Sequence, residues 1–200
     1  MTHPNQRVGI FVDVQNLYHS AKNLYRARVN YRELLKNLVG DRQLIRAVAY
    51  VVKSEGILPP LPPKEGAKET AKDGEKTGDK PGNNGRGLSS EAAFFEALES
   101  AGLELRLKDL QVYADGFKKA DWDVGMAVDA IRMAPFLDVI ILVTGDGDFI
   151  PLVDYLKWGA GRLVEVAAFH RSASSKLKEA ADQFVGIEDM PRVIMKSRNI

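Results

Sequence analysis

The feature that most constrains this chain is a regular alternation of short apolar runs with longer amphipathic segments. Five short runs rich in apolar residues predict strands, at 8–14, 44–52, 103–107, 139–144 and 163–169. Six longer segments predict helices, at 16–26, 31–38, 90–101, 122–134, 149–158 and 174–184. Alternating strands and helices predict an α/β fold with a largely parallel sheet. The runs at 8–14 and 139–144 are almost wholly apolar, which is typical of central strands covered on both faces.

The segment 59–87 interrupts this alternation, because it contains almost no large apolar residue and is rich in Pro, Gly and Lys. Such a segment cannot offset its ordering entropy by burial, so we expect a disordered insertion. The end of the chain, 191–200, is basic and contains no acidic residue, and we interpret it as a tail, either disordered or an arm that faces a nucleic acid. The sequence therefore predicts one domain over 1–190, interrupted by the insertion at 59–87.

Composition excludes several kinds of site. The 28 Lys and Arg residues nearly balance the 27 Asp and Glu residues, so binding of phosphates would depend on local clusters of charge. The absence of cysteine excludes disulfides, thiol catalysis and Cys-ligated metals, so any metal would be held by oxygen. No apolar run reaches membrane-spanning length, and Asp13 interrupts the first run before a signal-peptide core forms. We expect a cytoplasmic protein without membrane contact.

Polar side chains follow both central runs, where the helices begin. In open α/β sheets, ligands bind beyond the carboxyl ends of the strands. This rule selects Asp13 and Asn16 after the first run, and Thr144, Asp146 and Asp148 after the run that ends at 143. The glycines between the last three let the backbone turn sharply, so that both carboxylates project near the same strand end.

The helix at 122–134 offers two further carboxylates, Asp123 and Asp129. They lie roughly 120° apart around the helix and about 9 Å apart along it, so one site cannot easily use both. Helix N-termini in this architecture point at the cleft, which favours Asp123. Asp129 precedes Arg132 by three residues, which also permits a simple ion pair on the helix surface.

Each of these residues alone has a structural explanation, as a helix cap or a turn former. Their convergence has another consequence. Four carboxylates gathered at one edge, from Asp13, Asp123, Asp146 and Asp148, would repel one another by several kcal/mol unless protonated or neutralised by cations. An all-oxygen cluster with few carboxylates suits Mg²⁺ or Mn²⁺.

Three stretches, IFVDVQN at 10–16, DVGMAVDAI at 123–131 and LVTGDGDFIPL at 142–152, together resemble the NYN domain. The resemblance is to its LabA-like branch, within the PIN-like nuclease superfamily. It implies a three-layer α/β/α sandwich and a metal-dependent ribonuclease, most simply an endonuclease. The family's acidic positions fall on Asp13, Asp123, Asp146 and Asp148, and Asp129 also matches. Asn16 matches the polar residue that orients the first Asp, Thr144 stands where the family often has Ser, and the insertion at 59–87 departs from the family.

A ribonuclease of this kind would use one or two Mg²⁺ or Mn²⁺ ions to activate water and to stabilise charge on the phosphate. RNA, single-stranded or structured, would then be the partner. Five basic residues are candidates for RNA binding: Lys22, Arg26, Lys118, Lys119 and Arg171. Basic residues are also typical of an ordinary solvated surface. Tyr18 and Tyr25 could stack on bases, although aromatic residues at this spacing more often pack.

Two other functions compete with the nuclease hypothesis. A catalytically silent module that binds RNA or regulates would use the same cleft, since fold alone does not establish activity. A phosphatase of the haloacid dehalogenase type also places an Asp after the first strand, but it needs a second Asp two residues on, where this chain has Gln15. It also needs an acidic residue where this chain has Ile150. The oligomeric state stays open, with a homodimer as one alternative.

Overall fold

The alternation of strands and helices in the sequence is confirmed by a computed structural model, which describes residues 3–53, 90–109, 111–112, 118–119 and 122–196. The strands are β1 (Arg7–Asp13), β2 (Ala27–Val29), β3 (Gln43–Lys53), β4 (Glu104–Asp109), β5 (Gln111–Val112), β6 (Lys118–Lys119), β7 (Val139–Val143), β8 (Leu163–Ala168), β9 (Gln183–Gly186) and β10 (Ile194–Lys196). The helices are α1 (Val14–Tyr25), α2 (Tyr31–Val39), α3 (Ser90–Ser100), α4 (Asp123–Met133), α5 (Ile150–Asp154) and α6 (Ser175–Ala180).

Six strands form a parallel sheet in the order β4-β3-β1-β7-β8-β9. The two apolar runs expected at the centre, β1 and β7, are neighbours there, with Val12 paired with Val143. All five residues of β7 are buried, as are Val8, Ile10, Phe11 and Val12 in β1. Because the strands are parallel, their carboxyl ends meet at one edge of the sheet, to which β1 brings Asp13.

Alternate residues of β1 pack on opposite faces of the sheet. Ile10 and Val12 belong to a core with α1, α2 and α3, whereas Phe11 belongs to a second core with α4, α5 and α6. Burial of apolar surface on both faces, at roughly 25 cal/mol per Å², holds the three layers together. The expected α/β/α sandwich is confirmed. Across the described residues, no helix is both long and apolar enough to cross a bilayer.

Two expectations about the C-terminal part were wrong. The helix expected at 174–184 ends at Ala180, and Gln183–Gly186 forms the edge strand β9, parallel to β8. Asp182 directly precedes this strand and links it to β8. Its N–H donates to the Val164 carbonyl, and its carboxylate accepts from the Val164 N–H, both at 2.8 Å.

The segment at 191–200 is not a tail throughout. Val193 is fully buried, its carbonyl accepts from the Asn30 N–H at 2.8 Å, and β10 pairs with β2 in an antiparallel ribbon. The short strands β2, β5, β6, β9 and β10 were not expected from the sequence. The insertion expected at 59–87 lies outside the described residues.

The helix expected at 149–158 is divided into three turns of different width. A single 3₁₀ turn at Gly147–Phe149 is followed by α5 and then by one wide turn at Tyr155–Gly159. The wide turn ends where the Ala160 N–H donates to the Tyr155 carbonyl at 2.9 Å. This arrangement leaves Asp146 and Asp148 on a tight turn directly after β7.

Candidate active site

The last residue of the central strand, Asp13, is held by donors from two segments. Its Oδ1 accepts a hydrogen bond from the Asn16 backbone N–H at 3.0 Å, so Asp13 caps the first turn of α1. Its Oδ2 accepts a hydrogen bond from the Thr144 hydroxyl at 3.2 Å. These bonds fix the carboxylate at the carboxyl edge of the sheet, where ligands bind in α/β folds of this kind.

Burial raises the pKa of Asp13 above its usual value, because the charged form loses contact with water. The charge of Asp146 raises this pKa further, and the hydrogen bonds from Asn16 and Thr144 oppose the shift. No lysine or arginine in the described part of the chain forms an ion pair with Asp13. The site therefore holds a carboxylate that a bound cation would stabilise.

Thr144 and Asn16 join the end of β1 to the loop after β7. Thr144 is 1% exposed, and its hydroxyl accepts a hydrogen bond from the Asp146 N–H at 3.3 Å while donating to Asp13. The Asn16 side-chain Oδ1 accepts from the Gly145 N–H at 3.0 Å. The structure thus brings Asp13, Asn16, Thr144 and Asp146 together, as the positions of the strand ends predict.

Asp146 and Asp148 lie on the turn that follows. Asp146 caps the 3₁₀ turn, and its Oδ1 accepts from the Asp148 N–H at 3.0 Å. The Asp148 side chain is exposed. Asp146 is therefore the carboxylate that acts electrostatically on Asp13, whereas Asp148 joins the cluster through its backbone.

Sequence reasoning missed a loop that packs against this turn. The Ser174 N–H donates to the Gly145 carbonyl at 2.9 Å. A Cβ on Gly145 would lie 3.1 Å from the Ala173 Cα, so glycine is needed for the two loops to approach this closely. The sequence feature that could have indicated this loop is the run of polar residues after β8, at the carboxyl edge of the sheet.

Asp123 and Asp129 occupy different places on α4. Asp123 is its first residue, directly after Trp122, whose ring packs edge-to-face on Tyr50 at 5.6 Å. Asp129 does not make the helix-surface pair with Arg132 that was one alternative. Its Oδ2 accepts hydrogen bonds from the Tyr50 hydroxyl at 3.0 Å and from Arg106 Nε at 3.3 Å.

Tyr50 is a second residue that sequence reasoning missed. Burial raises its pKa well above the usual range, and the charge of Asp129 adds to the shift, so its hydroxyl remains a donor. Its Cα is paired with that of Asp13 in the neighbouring strand. A tyrosine in the otherwise apolar run of β3 was the available signal, because a buried hydroxyl needs a partner.

The donor set suits a hard cation, although the side chains do not form a ready metal cage. Over the described ranges, no three His, Asp or Glu side chains form a group that could hold a metal ion. The carboxylates of Asp13 and Asp146, with the hydroxyl of Thr144, are oxygen donors of the kind that Mg²⁺ and Mn²⁺ prefer. The assignment of Asp123 and Asp148 as further ligands stays a prediction.

Three of the basic residues expected to bind RNA lie around Tyr25. Lys22 lies in the last turn of α1 and Arg26 directly follows the helix; both are exposed, and the charge of Arg171 acts on the Tyr25 hydroxyl. Burial and the hydrogen bond to Glu188 raise the pKa of Tyr25 to about 12. Tyr25 also stacks on Phe169 at 4.7 Å, so it packs within the protein.

The other two candidates, Lys118 and Lys119, form β6, which pairs with β5. Their side chains lie outside the described part of the structure. Tyr18 packs edge-to-face on His19 at 5.4 Å, and Lys22 Nζ lies 5.5 Å from its ring centre.

Comparison with known proteins agrees with this architecture. The NYN domain family model matches residues 7–188. The "Low amplitude and bright protein LabA" of Synechococcus elongatus (strain ATCC 33912 / PCC 7942 / FACHB-805) is 27% identical over 113 residues, 54% of this chain and 60% of that protein. The chain thus matches only part of this relative's length.

A solved structure extends the similarity over the whole fold. The crystal structure of a protein of unknown function, VPA0982 from Vibrio parahaemolyticus RIMD 2210633, has a TM-score of 0.74 and 28% sequence identity. The similarity covers 98% of this chain and 99% of that one. The chain therefore belongs to the NYN domain family, which is a family of PIN-like nucleases, and LabA is a distant relative of it.

Proposed function

We propose that this chain is a ribonuclease that hydrolyses phosphodiester bonds within RNA at a Mg²⁺ or Mn²⁺ site. The observation that carries the proposal is Asp13, a carboxylate at the end of the central strand with a raised pKa. Its neighbour Asp146 is also acidic, and the donors around Asp13 are neutral. A site of this kind is favourable for a cation and unfavourable without one.

Asp13 and Asp146 would hold the metal, with Asp123 and Asp148 as the further carboxylates that the family pattern indicates. When bound, the ion would supply Lewis-acid charge and a water of lowered pKa. Asn16 and Thr144 fix the orientation of the Asp13 carboxylate by their hydrogen bonds. Asn16 also holds the loop after β7 through the Gly145 N–H, which keeps Asp146 beside Asp13.

The partner in this proposal is RNA, single-stranded or structured, and the location is the cytoplasm. Lys22, Arg26 and Arg171 would contact phosphates on one side of the site, and Lys118 and Lys119 remain further candidates. A homodimer remains a prediction. The family membership favours the nuclease over a phosphatase of the haloacid dehalogenase type, whose second catalytic Asp is replaced here by Gln15.

The deciding experiment is cleavage of end-labelled single-stranded and structured RNAs by the purified chain, with Mn²⁺, Mg²⁺ or EDTA. We expect internal cuts that need the metal and that disappear in Asp13→Asn. Asp138→Asn is the matched control, because Asp138 lies at the opposite edge of the sheet. RNA binding without any cleavage would favour the silent module, and phosphate release from a small phosphomonoester would favour the phosphatase.

A further inference from the structure

A row of polar residues crosses the sheet from the candidate active site to the edge strand β4. In the register of the sheet, Asp13 of β1 is paired with Tyr50 of β3, and Tyr50 is paired with Arg106 of β4. Neighbouring strands lie about 4.8 Å apart, so the Cα atoms of Arg106 and Asp13 are about 10 Å apart. Arg106 is thus two strands away from the carboxylate expected to hold the metal.

The guanidinium of Arg106 is bonded through its Nε, and the side chain is about half exposed. Its Nε donates to Asp129 Oδ2 at 3.3 Å, and the Tyr50 hydroxyl donates to the same oxygen at 3.0 Å. Because Tyr50 is buried and belongs to the sheet, Asp129 has a fixed position. The Arg106 side chain is 49% exposed, and its two terminal nitrogens make no hydrogen bond with other described residues.

This arrangement orients the guanidinium. The group is planar, so fixing Nε sets the direction of the two terminal nitrogens, which form the fork that binds phosphate in a bidentate manner. An arginine held in this way loses less side-chain entropy on binding than a free surface arginine does.

Positive charge continues from Arg106 towards the carboxyl end of β4. Lys108 lies two residues further along and therefore on the same face, with its Nζ 5.8 Å from the Trp122 ring centre. Trp122 directly precedes Asp123, the first residue of α4. A polyanion that reaches the Asp13 site from this side would meet cationic side chains first.

We propose that Arg106, oriented by Asp129, binds an RNA phosphate beside the one that is cleaved. This inference rests on the proposed function and extends it, because it assigns an RNA-binding residue on the β4 side of the site. Asp129 is then a positioning residue. Its carboxylate is engaged with Tyr50 and Arg106, which gives it a role other than holding a metal.

The test measures binding of a fluorescently labelled single-stranded RNA by anisotropy, in EDTA and at several salt concentrations. We expect Arg106→Gln to weaken binding several-fold at low salt. The slope of log K against log salt should fall by about 0.7, the value for one phosphate contact on a single strand. A slope equal to that of the unsubstituted protein would overturn the proposal.

Arg46→Gln is the matched control. Arg46 also lies in the sheet, is 43% exposed and pairs with a carboxylate, Glu104, at 3.0 Å. It stands four residues before Tyr50 in β3, about 13 Å towards the amino end of the strand. We expect its removal to leave the salt slope unchanged. Equal effects of the two substitutions would show a general loss of charge and would overturn the proposal.

Asp129→Asn tests the positioning role. The substitution removes a negative charge, so a simple charge effect would tighten RNA binding. Loss of the oriented Arg106 weakens it instead, and the double variant with Arg106→Gln should bind no more weakly than Arg106→Gln alone. Tighter binding by Asp129→Asn, or additive losses in the double variant, would show that Asp129 does not position Arg106.

Two further measurements separate the possible failures. Thermal unfolding shows whether Arg106→Gln is folded, and Arg106→Lys, which keeps the charge but not the fork, should retain the salt slope with reduced affinity. If the unsubstituted protein cleaves RNA with Mn²⁺ while Arg106→Gln and Arg106→Lys bind as it does, only the Arg106 inference fails. If the unsubstituted protein neither binds nor cleaves RNA, the proposed function fails first.

Discussion

The two edges of the central sheet carry charged side chains in opposite arrangements. At the amino edge, opposite charges are paired: Arg42 binds Glu165 at 2.6 Å, and Arg7 binds Asp138 at 2.8 Å. At the carboxyl edge, two carboxylates, Asp13 and Asp146, lie near each other, with neutral donors around Asp13. The two pairs at the amino edge satisfy their charges within the fold, whereas Asp13 and Asp146 at the carboxyl edge are like charges close together.

Arg42 has a partner for each of its side-chain nitrogens, whereas Arg162 Nε, directly before β8, is buried without a hydrogen-bond partner among the described residues. The terminal nitrogens of Arg42 donate to both Glu165 oxygens, at 2.6 and 3.0 Å, and to the Leu38 carbonyl at 2.6 Å, while its Nε donates to the Val39 carbonyl at 3.2 Å. At the other edge, the raised pKa of Asp13 records an electrostatic cost that folding alone does not relieve. We therefore expect the Arg42–Glu165 pair to contribute to stability and the carboxylates at the carboxyl edge to respond to a bound cation.

The largest effect is expected on RNA cleavage, when the two carboxylates of α4 are changed one at a time. We expect Asp123→Asn to lower the catalytic rate constant by orders of magnitude, because it would remove a ligand charge. Asp129→Asn should mainly raise KM, since Asp129 contacts Arg106 and Tyr50. Steady-state kinetics with Mn²⁺ and a short RNA separates the two. An equal loss of kcat in both variants would contradict the different roles assigned to them.

At the amino edge, the largest effect should be on stability. Removing one partner of the buried pair, by Glu165→Gln or Arg42→Met, should cost about 3–5 kcal/mol, because a charge is left buried without its partner. Urea unfolding measures the loss. Replacing both, by Arg42→Met with Glu165→Leu, should cost less than either single change. If the free energy of unfolding of each single variant falls by less than about 1 kcal/mol, the Arg42–Glu165 pair does not make the contribution to stability assigned to it.

At the carboxyl edge, removing a charge should stabilise the protein in the absence of metal. Asn caps helices as well as Asp does, so Asp13→Asn keeps the hydrogen bond to α1. A carboxyl group whose pKa is raised by folding binds more protons in the folded state than in the unfolded state. The stability of the folded state therefore falls as pH rises through this pKa. In EDTA, Asp13→Asn should therefore melt above the unsubstituted protein at neutral pH, and this gain should disappear in acid.

Addition of Mn²⁺ should reverse that order. An ion that binds only the folded state stabilises it by about 2.7 kcal/mol at 100-fold excess over Kd. The unsubstituted protein should gain melting temperature with millimolar Mn²⁺, and Asp13→Asn should gain less. If metal shifts neither protein and Asp13→Asn melts lower in EDTA, Asp13 is a helix cap only.

The sequence predicted the main sheet well, because its central strands are marked by their own composition. The all-apolar runs that became β1 and β7 needed no tertiary information, and the rule for strand ends then selected Asp13, Asn16, Thr144 and Asp146. The strands β2, β5, β6, β9 and β10 were missed, since two to four residues carry too little pattern. Strand β9 is defined by its pairing with β8, next to which Asp182 bonds to Val164, a contact distant in sequence.

The parts of the site that were missed depend on pairing across strands. Nothing in the sequence indicates that Tyr50 lies beside Asp13, because this follows from the register of β1 and β3. The partner of Asp129 was open for the same reason. Helical spacing offered Arg132, whereas the fold supplies Arg106 from β4, 23 residues away in sequence. Local periodicity predicts elements, and register decides which side chains meet.

The smallest effect is expected at the amino edge, where the stability contributed by the Arg7–Asp138 pair should depend on pH. The hydrogen bonds and charge of Arg7 lower the pKa of Asp138 to about 2. A depressed folded pKa contributes stability above the unfolded value, about 3.9, and this contribution is lost as pH falls towards 2. The unsubstituted protein should therefore melt slightly above Asp138→Asn at neutral pH, and the two should converge in acid. Because the pair is exposed, high salt should reduce the difference. Melting curves from pH 2 to pH 7 measure it, and a difference that stays constant over this range would show that the Arg7 contact does not act through charge.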